Sequence, residues 1–222
     1  MKKSPAARTQ KRSAPPKPRP HPLGADQRYD ANIDYILRSA AAVFAEKSFG
    51  LASIRDIAAH AKISFPRIYY YLRNKEELLY RISRRAFEQL LTSAEERTAA
   101  IDDADEKLRL FIQGHLEYHM SNLAEMKVLV READSLSGRY AAHIERLKRD
   151  YSRMCRKIID QVAAKHGKTL DREVSRILTS LLFGAMNWFY TWYEPSRDFE
   201  NCGRIMDEVH RMVASAIVSR QG

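Results

Sequence analysis

Ile63-Ser-Phe-Pro-Arg-Ile-Tyr-Tyr-Tyr-Leu-Arg-Asn-Lys-Glu-Glu-Leu78 decides how the rest of the chain is read. Ser64 is a cap residue and Pro66 falls in the first turn that follows, where a missing N–H costs nothing. Ile68 and Leu72 stand at i and i+4 and point one way, leaving Phe65, Arg67, Tyr70 and Tyr71 for the outside. Three large aromatic residues and an arginine are an odd choice for a merely solvated face. Asn74 then caps another helix, with Glu76 and Glu77 in its first turn.

Upstream, Ile33, Ile36, Leu37, Ala40, Val43 and Phe44 recur at three- and four-residue steps, so a helix is expected over about 28–47. Phe49-Gly50 should end it, with Gly50 as the left-handed stop. Ser53 caps a short second helix whose buried face is Ile54, Ile57, Ala58 and Ala61, with Asp56 at its N-terminus. A tight turn at 61–63 leads into the Ser64 helix. Two short helices joined by a turn, the second carrying polar and aromatic groups outward, make a helix-turn-helix.

Downstream, Leu78, Leu79, Ile82, Ala86, Leu90 and Leu91 form the stripe of a long helix over 75–99. After an acidic break at 101–105, five helices are expected at about 105–122, 124–136, 139–166, 171–194 and 198–220. The third carries Tyr140, Ile144, Leu147, Tyr151, Met154, Ile158 and Val162 and stops at Gly167. With only Pro66 between Gly24 and Trp192 and no alternating β-branched run, the fold class is all-α. The expected divisions are a disordered basic, Pro-rich tail over 1–26, a helix-turn-helix domain over 27–74 (motif 53–72), a connecting helix over 75–99, and a ligand-binding and dimerisation domain over 100–222.

The 222-residue chain carries a net charge of +10. The first 25 residues hold seven Lys and Arg and no acid, so the tail accounts for most of it. Two readings of the tail stand: a basic arm touching phosphates or a minor groove, or a solvated tail. Cys155 and Cys202 show no paired spacing, which suggests reduced thiols and a cytoplasmic protein. The longest uncharged run, Ile177–Tyr193, would span only about 26 Å as a helix, so a buried helix rather than a membrane span is expected.

These residues resemble a known family. Ser53-Ile-Arg-Asp-Ile-Ala, Ala61-Lys-Ile-Ser-Phe-Pro-Arg-Ile-Tyr-Tyr-Tyr-Leu and Asn74-Lys-Glu-Glu-Leu are similar to the N-terminal domain of TetR-type transcriptional regulators. Three positions depart: Lys62 stands where the family usually has Gly, Arg67 where it has a small residue, and Leu72 where it has Phe. The resemblance implies a homodimeric, all-helical repressor with a C-terminal ligand-binding body and a dimer interface made by the last two helices. By matched position it implies a DNA-facing set of Ser53, Arg55, Ser64, Phe65, Arg67, Tyr69, Tyr70, Tyr71 and Lys75. Arg67 suits a guanine edge, while Ser53, Tyr69, Tyr71 and Lys75 suit phosphates.

Arg149-Asp-Tyr151 and Leu182-Phe-Gly-Ala-Met-Asn-Trp-Phe-Tyr-Thr-Trp-Tyr193 resemble the subgroup that senses acyl-CoA thioesters. The effector expected is thus a small molecule, an acyl-CoA among the choices, with no other cofactor. The partners expected are a double-stranded operator, a second copy of the chain and the effector, with no membrane. Ligand-facing candidates are His115, His119, Arg131, Trp188 and Trp192, with Arg139, Arg146 and Arg149 as further cations for CoA phosphates. Trp188 and Trp192, one helical turn apart, can equally be core or dimer interface.

Three alternatives stay open. The same scaffold can sense a free hydrophobic compound or drug and control efflux. A helical metal protein or enzyme can be built on His115 and His119, whose i, i+4 spacing can bind a metal, although Glu117 is wrongly placed for a zinc-protease pattern. An architectural DNA binder without an operator is the third. No Gly-rich phosphate loop, serine elbow or paired-cysteine site is present, so no enzyme is expected and no metal site is assigned.

Overall fold

The computed structural model describes residues 23–194 and 198–219, and every regular element among them is a helix, with no strand among the described residues. The helices are α1 (Leu23–Lys47), α2 (Ile54–His60), α3 (Phe65–Tyr71), α4 (Lys75–Thr98), α5 (Ala104–Ser121), α6 (Leu123–Glu132), α7 (Gly138–Lys165), α8 (Arg172–Asn187) and α9 (Cys202–Val218). Short 3-10 turns follow α6 and α8, at Ala133–Ser135 and Trp188–Thr191, and a third precedes α9 at Phe199–Asn201. Helix α1 begins at Leu23, inside the stretch expected to be tail, and residues 1–22 lie outside the described residues. No described helix is long and apolar enough to cross a membrane.

The apolar steps read from the sequence are the buried faces. Ile36, Leu37, Ala40, Val43 and Phe44 of α1 and Leu78, Leu79, Ile82, Ala86 and Leu90 of α4 join one continuous core. That core includes Ile144, Tyr151, Ile158 and Val162 of α7. Helix α4 is the axis. At about 36 Å for 24 residues, it packs on α1 near its start and on α5, α6 and α7 along its length.

Helix ends follow local chemistry. Gly167 is left-handed (φ 68), and Lys168 N–H bonds Ala163 O at 2.8 Å while Gly167 N–H bonds Ala164 O. These are the paired bonds of a Schellman stop. Helix α1 ends at Lys47, where it was expected to end, but Ser48 directly after it, not Gly50, takes the left-handed position (φ 66).

Helix α8 also departs from the expected run to 194. It stops at Asn187 and the chain tightens into the 3-10 turn. The change of winding turns Phe189 and Tyr193 into the core and leaves Trp188 and Trp192 62% and 45% exposed.

The start of α4 is fastened to the body. Glu76 accepts hydrogen bonds from Ser137 N–H (2.8 Å) and Oγ (2.6 Å), at the start of α7. Tyr80 stacks on Tyr140 with centroids 4.2 Å apart, and its hydroxyl lies 2.8 Å from His143 Nδ1. Arg85 pairs with Asp34 of α1 at 2.8 Å.

Candidate functional site

The outward face of α3 and its neighbours forms one candidate surface. Ser53 and Asp56 make a full capping box at α2: Asp56 N–H donates to Ser53 Oγ (3.2 Å), and Ser53 N–H donates to Asp56 Oδ2 (2.8 Å). The Ser53 hydroxyl also donates to Asp56 Oδ2 at 2.5 Å, so its proton is already used within the cap. Lys62 occupies the turn with φ 52, the left-handed conformation for which glycine is unstrained. Ser64 stands at the N-cap of α3 but makes no side-chain cap bond, which leaves its exposed hydroxyl available.

Ile68 and Leu72 are buried and anchor α3, while Phe65, Arg67, Tyr69 and Tyr70 are exposed. Phe65 lies edge-on to Tyr69 (5.1 Å) and under the Arg55 guanidinium (5.7 Å). Arg67 Nη2 reaches Asn32 Oδ1 only at 3.4 Å, a weak tether for an exposed guanidinium. Tyr71 is half-buried, tilted against Tyr29 at 5.0 Å, so it belongs more to packing than to the outer face.

Lys75 departs from its expected place. Its ammonium donates to Phe49 O (2.6 Å), Ala52 O (2.9 Å) and Gly50 O (3.3 Å) and sits 4.5 Å above the Phe49 ring. All three of its protons serve the α1–α2 turn. The carbonyls left free by that turn, not a phosphate, are its partners.

A second candidate site is a cavity of about 430 Å³ in the C-terminal body. Phe87 and Leu90 of α4, Met126 and Leu129 of α6 and Phe183 of α8 give it apolar walls. His115, Tyr151 and Asn187 supply polar groups, and Lys148 and Asp134 also border it. His115 Nδ1 lies 3.1 Å from the Tyr151 hydroxyl, and the two rings are nearly parallel. His115 Nε2 and both His119 ring nitrogens are buried without a well-formed protein hydrogen bond, although the Asn187 side chain stands near enough to His115 to act on it as a weak acceptor. Burial, with the His119 ring second and Asn187 pulling the other way, pushes the His115 pKa down to about 3. Burial alone pushes His119 down to about 4. Both rings are therefore neutral near pH 7. Burial also raises the Tyr151 hydroxyl well above its usual range.

Of the five residues expected to face a ligand, only His115 lines this cavity. His119 sits behind it, ring centroids 5.4 Å apart, against Phe189. Arg131 is exposed and outside the lining, since α6 turns its cavity face through Met126, Leu129 and Val130. Trp188 and Trp192 are excluded from it by the 3-10 turn described above. Lys148, rather than Arg139, Arg146 or Arg149, is the basic residue in the lining. The apolar wall residues Met126, Leu129 and Phe183 were not singled out from the sequence, although the i, i+3 step of the first two was there to read. Among the described residues, no group of three or more His, Cys, Asp and Glu side chains is gathered as a metal site requires.

Comparison with known proteins gives matches in both halves of the chain. Residues 36–82 match the model of bacterial regulatory proteins of the tetR family, and residues 101–198 match that of tetracyclin repressor-like C-terminal domains. Curated protein sequences give no match. Among solved structures, the TetR family transcriptional regulator PfmR from Thermus thermophilus is 26% identical, with a TM-score of 0.69, covering 80% of this chain and 95% of that one. AibR in complex with isovaleryl coenzyme A and operator DNA is 24% identical, with a TM-score of 0.70 and coverage of 83% and 97%. The ketosteroid transcriptional regulator KstR2 of Mycobacterium tuberculosis is 20% identical, with a TM-score of 0.75 and coverage of 83% and 94%.

Proposed function

This chain belongs to the TetR family of bacterial regulatory proteins, and from that premise we propose a specific working cycle. A homodimer binds a palindromic operator as a repressor and leaves it when an acyl-CoA thioester enters the cavity beside α4. The observation that carries this reading is the double duty of α4. Its Phe87 and Leu90 wall the cavity, while its first turn holds the α1–α2 turn through Lys75 and the body through Glu76. A ligand that moves α4 moves the α3 outer face.

Arg67, close to the start of α3, reads base edges, a pairing that gives about 1–3 kcal/mol of discrimination. Phe65 packs on a thymine methyl, and Tyr69, Tyr70, Ser64 and Arg55 serve phosphates and register. The dimer forms through α8 and α9. Ile177, Leu181 and Trp188 are exposed at steps of four and seven on and just beyond α8, and Met212 and Val218 are exposed on α9. Such a stripe on a water-soluble surface calls for a partner. The two α3 helices then meet successive major grooves, with half-sites about 34–36 Å apart or somewhat more.

The acyl-CoA assignment draws support from the cavity's size and apolar walls, from Lys148 as a cation for phosphates left outside, and from the isovaleryl coenzyme A of AibR. The test is operator binding by fluorescence anisotropy, using DNA from upstream of the chain's own gene. Increasing short-chain, long-chain and ring-bearing acyl-CoAs are added, each beside its free acid. Release by a thioester and not by its acid supports the assignment. Release by free hydrophobic compounds with every thioester inert replaces it with a drug-sensing role.

A further inference from the structure

The cavity holds one polar feature that the apolar walls do not explain. His115 is buried to 2% exposure, lines the cavity, and has one ring nitrogen spoken for and the other without a well-formed protein hydrogen bond, Asn187 beside it acting only as a weak acceptor. Its orientation is fixed from several sides. The Tyr151 ring is nearly parallel to it, Phe111 stacks on Tyr151 at 5.0 Å, and Phe183 lies 6.0 Å from the imidazole. A polar atom held this firmly and left unpaired beside a cavity is a recognition group awaiting its partner.

The tautomer follows from the hydrogen-bond inventory. The Tyr151 hydroxyl stays protonated, because burial raises its pKa well above the usual range. Its O–H needs an acceptor, and the atom in reach is His115 Nδ1 at 3.1 Å. A neutral imidazole that accepts at Nδ1 carries its proton on Nε2. The free atom is thus a donor.

Resting on the effector-binding role of this cavity, we infer that His115, set by Tyr151, donates from Nε2 to a neutral oxygen of the effector, a carbonyl or hydroxyl. A carboxylate is the wrong partner at this point. His115 is neutral, and Lys148, the cation in the lining, is exposed and lies 3.4 Å from Glu145. A buried carboxylate beside an uncharged donor would lack a counter-charge. A plain hydrocarbon leaves Nε2–H unsatisfied. The effector class is therefore an apolar skeleton bearing one neutral oxygen acceptor, which includes a thioester carbonyl and a ketone and excludes a free acid bound end-in.

Two ligand pairs, each differing by one carbonyl oxygen, test this on the full-length protein by titration calorimetry. Octanoyl-CoA is compared with its thioether S-octyl-CoA, and acetophenone with ethylbenzene. The expected result is that the carbonyl member of at least one pair binds about tenfold tighter, the effect of one well-made buried hydrogen bond. His115→Leu should reduce that ratio to within about twofold, while His115→Gln, which keeps a neutral donor, should restore most of it. Tyr151→Phe should lower it by releasing the tautomer. Equal affinities within every pair that binds, in wild-type protein, overturn the inference whether or not the variants fold. Thioester and thioether binding equally would leave the acyl-CoA role standing and remove this one. Discrimination in the ketone pair, with both CoA compounds inert, would remove the acyl-CoA role and leave this one.

Discussion

Replacing Lys75 by methionine separates two roles with opposite signatures. The ammonium makes hydrogen bonds of 2.6 and 2.9 Å to Phe49 O and Ala52 O and a longer one of 3.3 Å to Gly50 O. Charge-assisted bonds contribute about 1.5–3 kcal/mol each when buried. Here Lys75 and two of the bonds are only partly buried, and Gly50 O is exposed and rehydrates. Methionine keeps the apolar stem over Phe49 but loses the cation–π contact. The net loss should be about 2–3 kcal/mol, or roughly 4–12 °C in Tm for a domain of this size. The assay is urea denaturation followed by far-UV circular dichroism, at one fixed protein concentration because a dimer's stability depends on it. Lys75→Arg should fall between, since a planar fork cannot meet three converging carbonyls. Stability within about 0.5 kcal/mol of wild type, together with a salt slope of operator binding lower by about one, would refute the reasoning. That outcome would return Lys75 to the phosphate backbone.

Lys62→Gly should stabilise the protein by about 1 kcal/mol, because the lysine is held at φ 52; an unchanged or lower denaturation midpoint would contradict this. Arg67→Ala should cut the preference for operator over random DNA by roughly 5- to 150-fold, measured by competition anisotropy, and an unchanged ratio removes its base-reading role. His115 and His119, depressed to about 3 and 4, bind fewer protons folded than unfolded. Their stabilising contribution is therefore full above about pH 6.5 and is lost as pH falls through 6.5 toward 4, at about 1.4 kcal/mol per pH unit for each. Denaturation at pH 7.5 and 5.5 should show this loss, and His119→Phe should halve it; a variant with the wild-type slope would show that the loss arises elsewhere.

The helix-turn-helix was legible because its signals are local. Ser53 with Asp56, Pro66 and the Ile68/Leu72 pair all act within one or two turns of their own backbone, and each lies where the spacing placed it. Lys75 was misread because its partners at Phe49–Ala52 are some 25 residues away, and nothing in a local pattern says where a long side chain will turn. The tryptophans were misplaced for a related reason. A period of 3.6 was carried past Asn187, where the winding tightens and exchanges which aromatic rings face inward. The cavity was the least legible part, since its walls come from α4, α5, α6, α7 and α8 and no short stretch holds more than a fraction of them. His115 was found by its i, i+4 relation to His119, a pattern that marks a shared helix face but gives no sign that Tyr151, 36 residues on, holds only one of the two.

Coupling between the cavity and α3 is the central claim, and linkage tests it directly. The affinity of an acyl-CoA is measured by calorimetry twice, on the free protein and on the protein saturated with its operator DNA. Because coupling is reciprocal, the thioester should bind the free protein more tightly by the same factor by which it weakens operator binding, typically about 5- to 150-fold. Equal affinity for the two forms would contradict the claim, since a ligand indifferent to the DNA-bound conformer cannot release it.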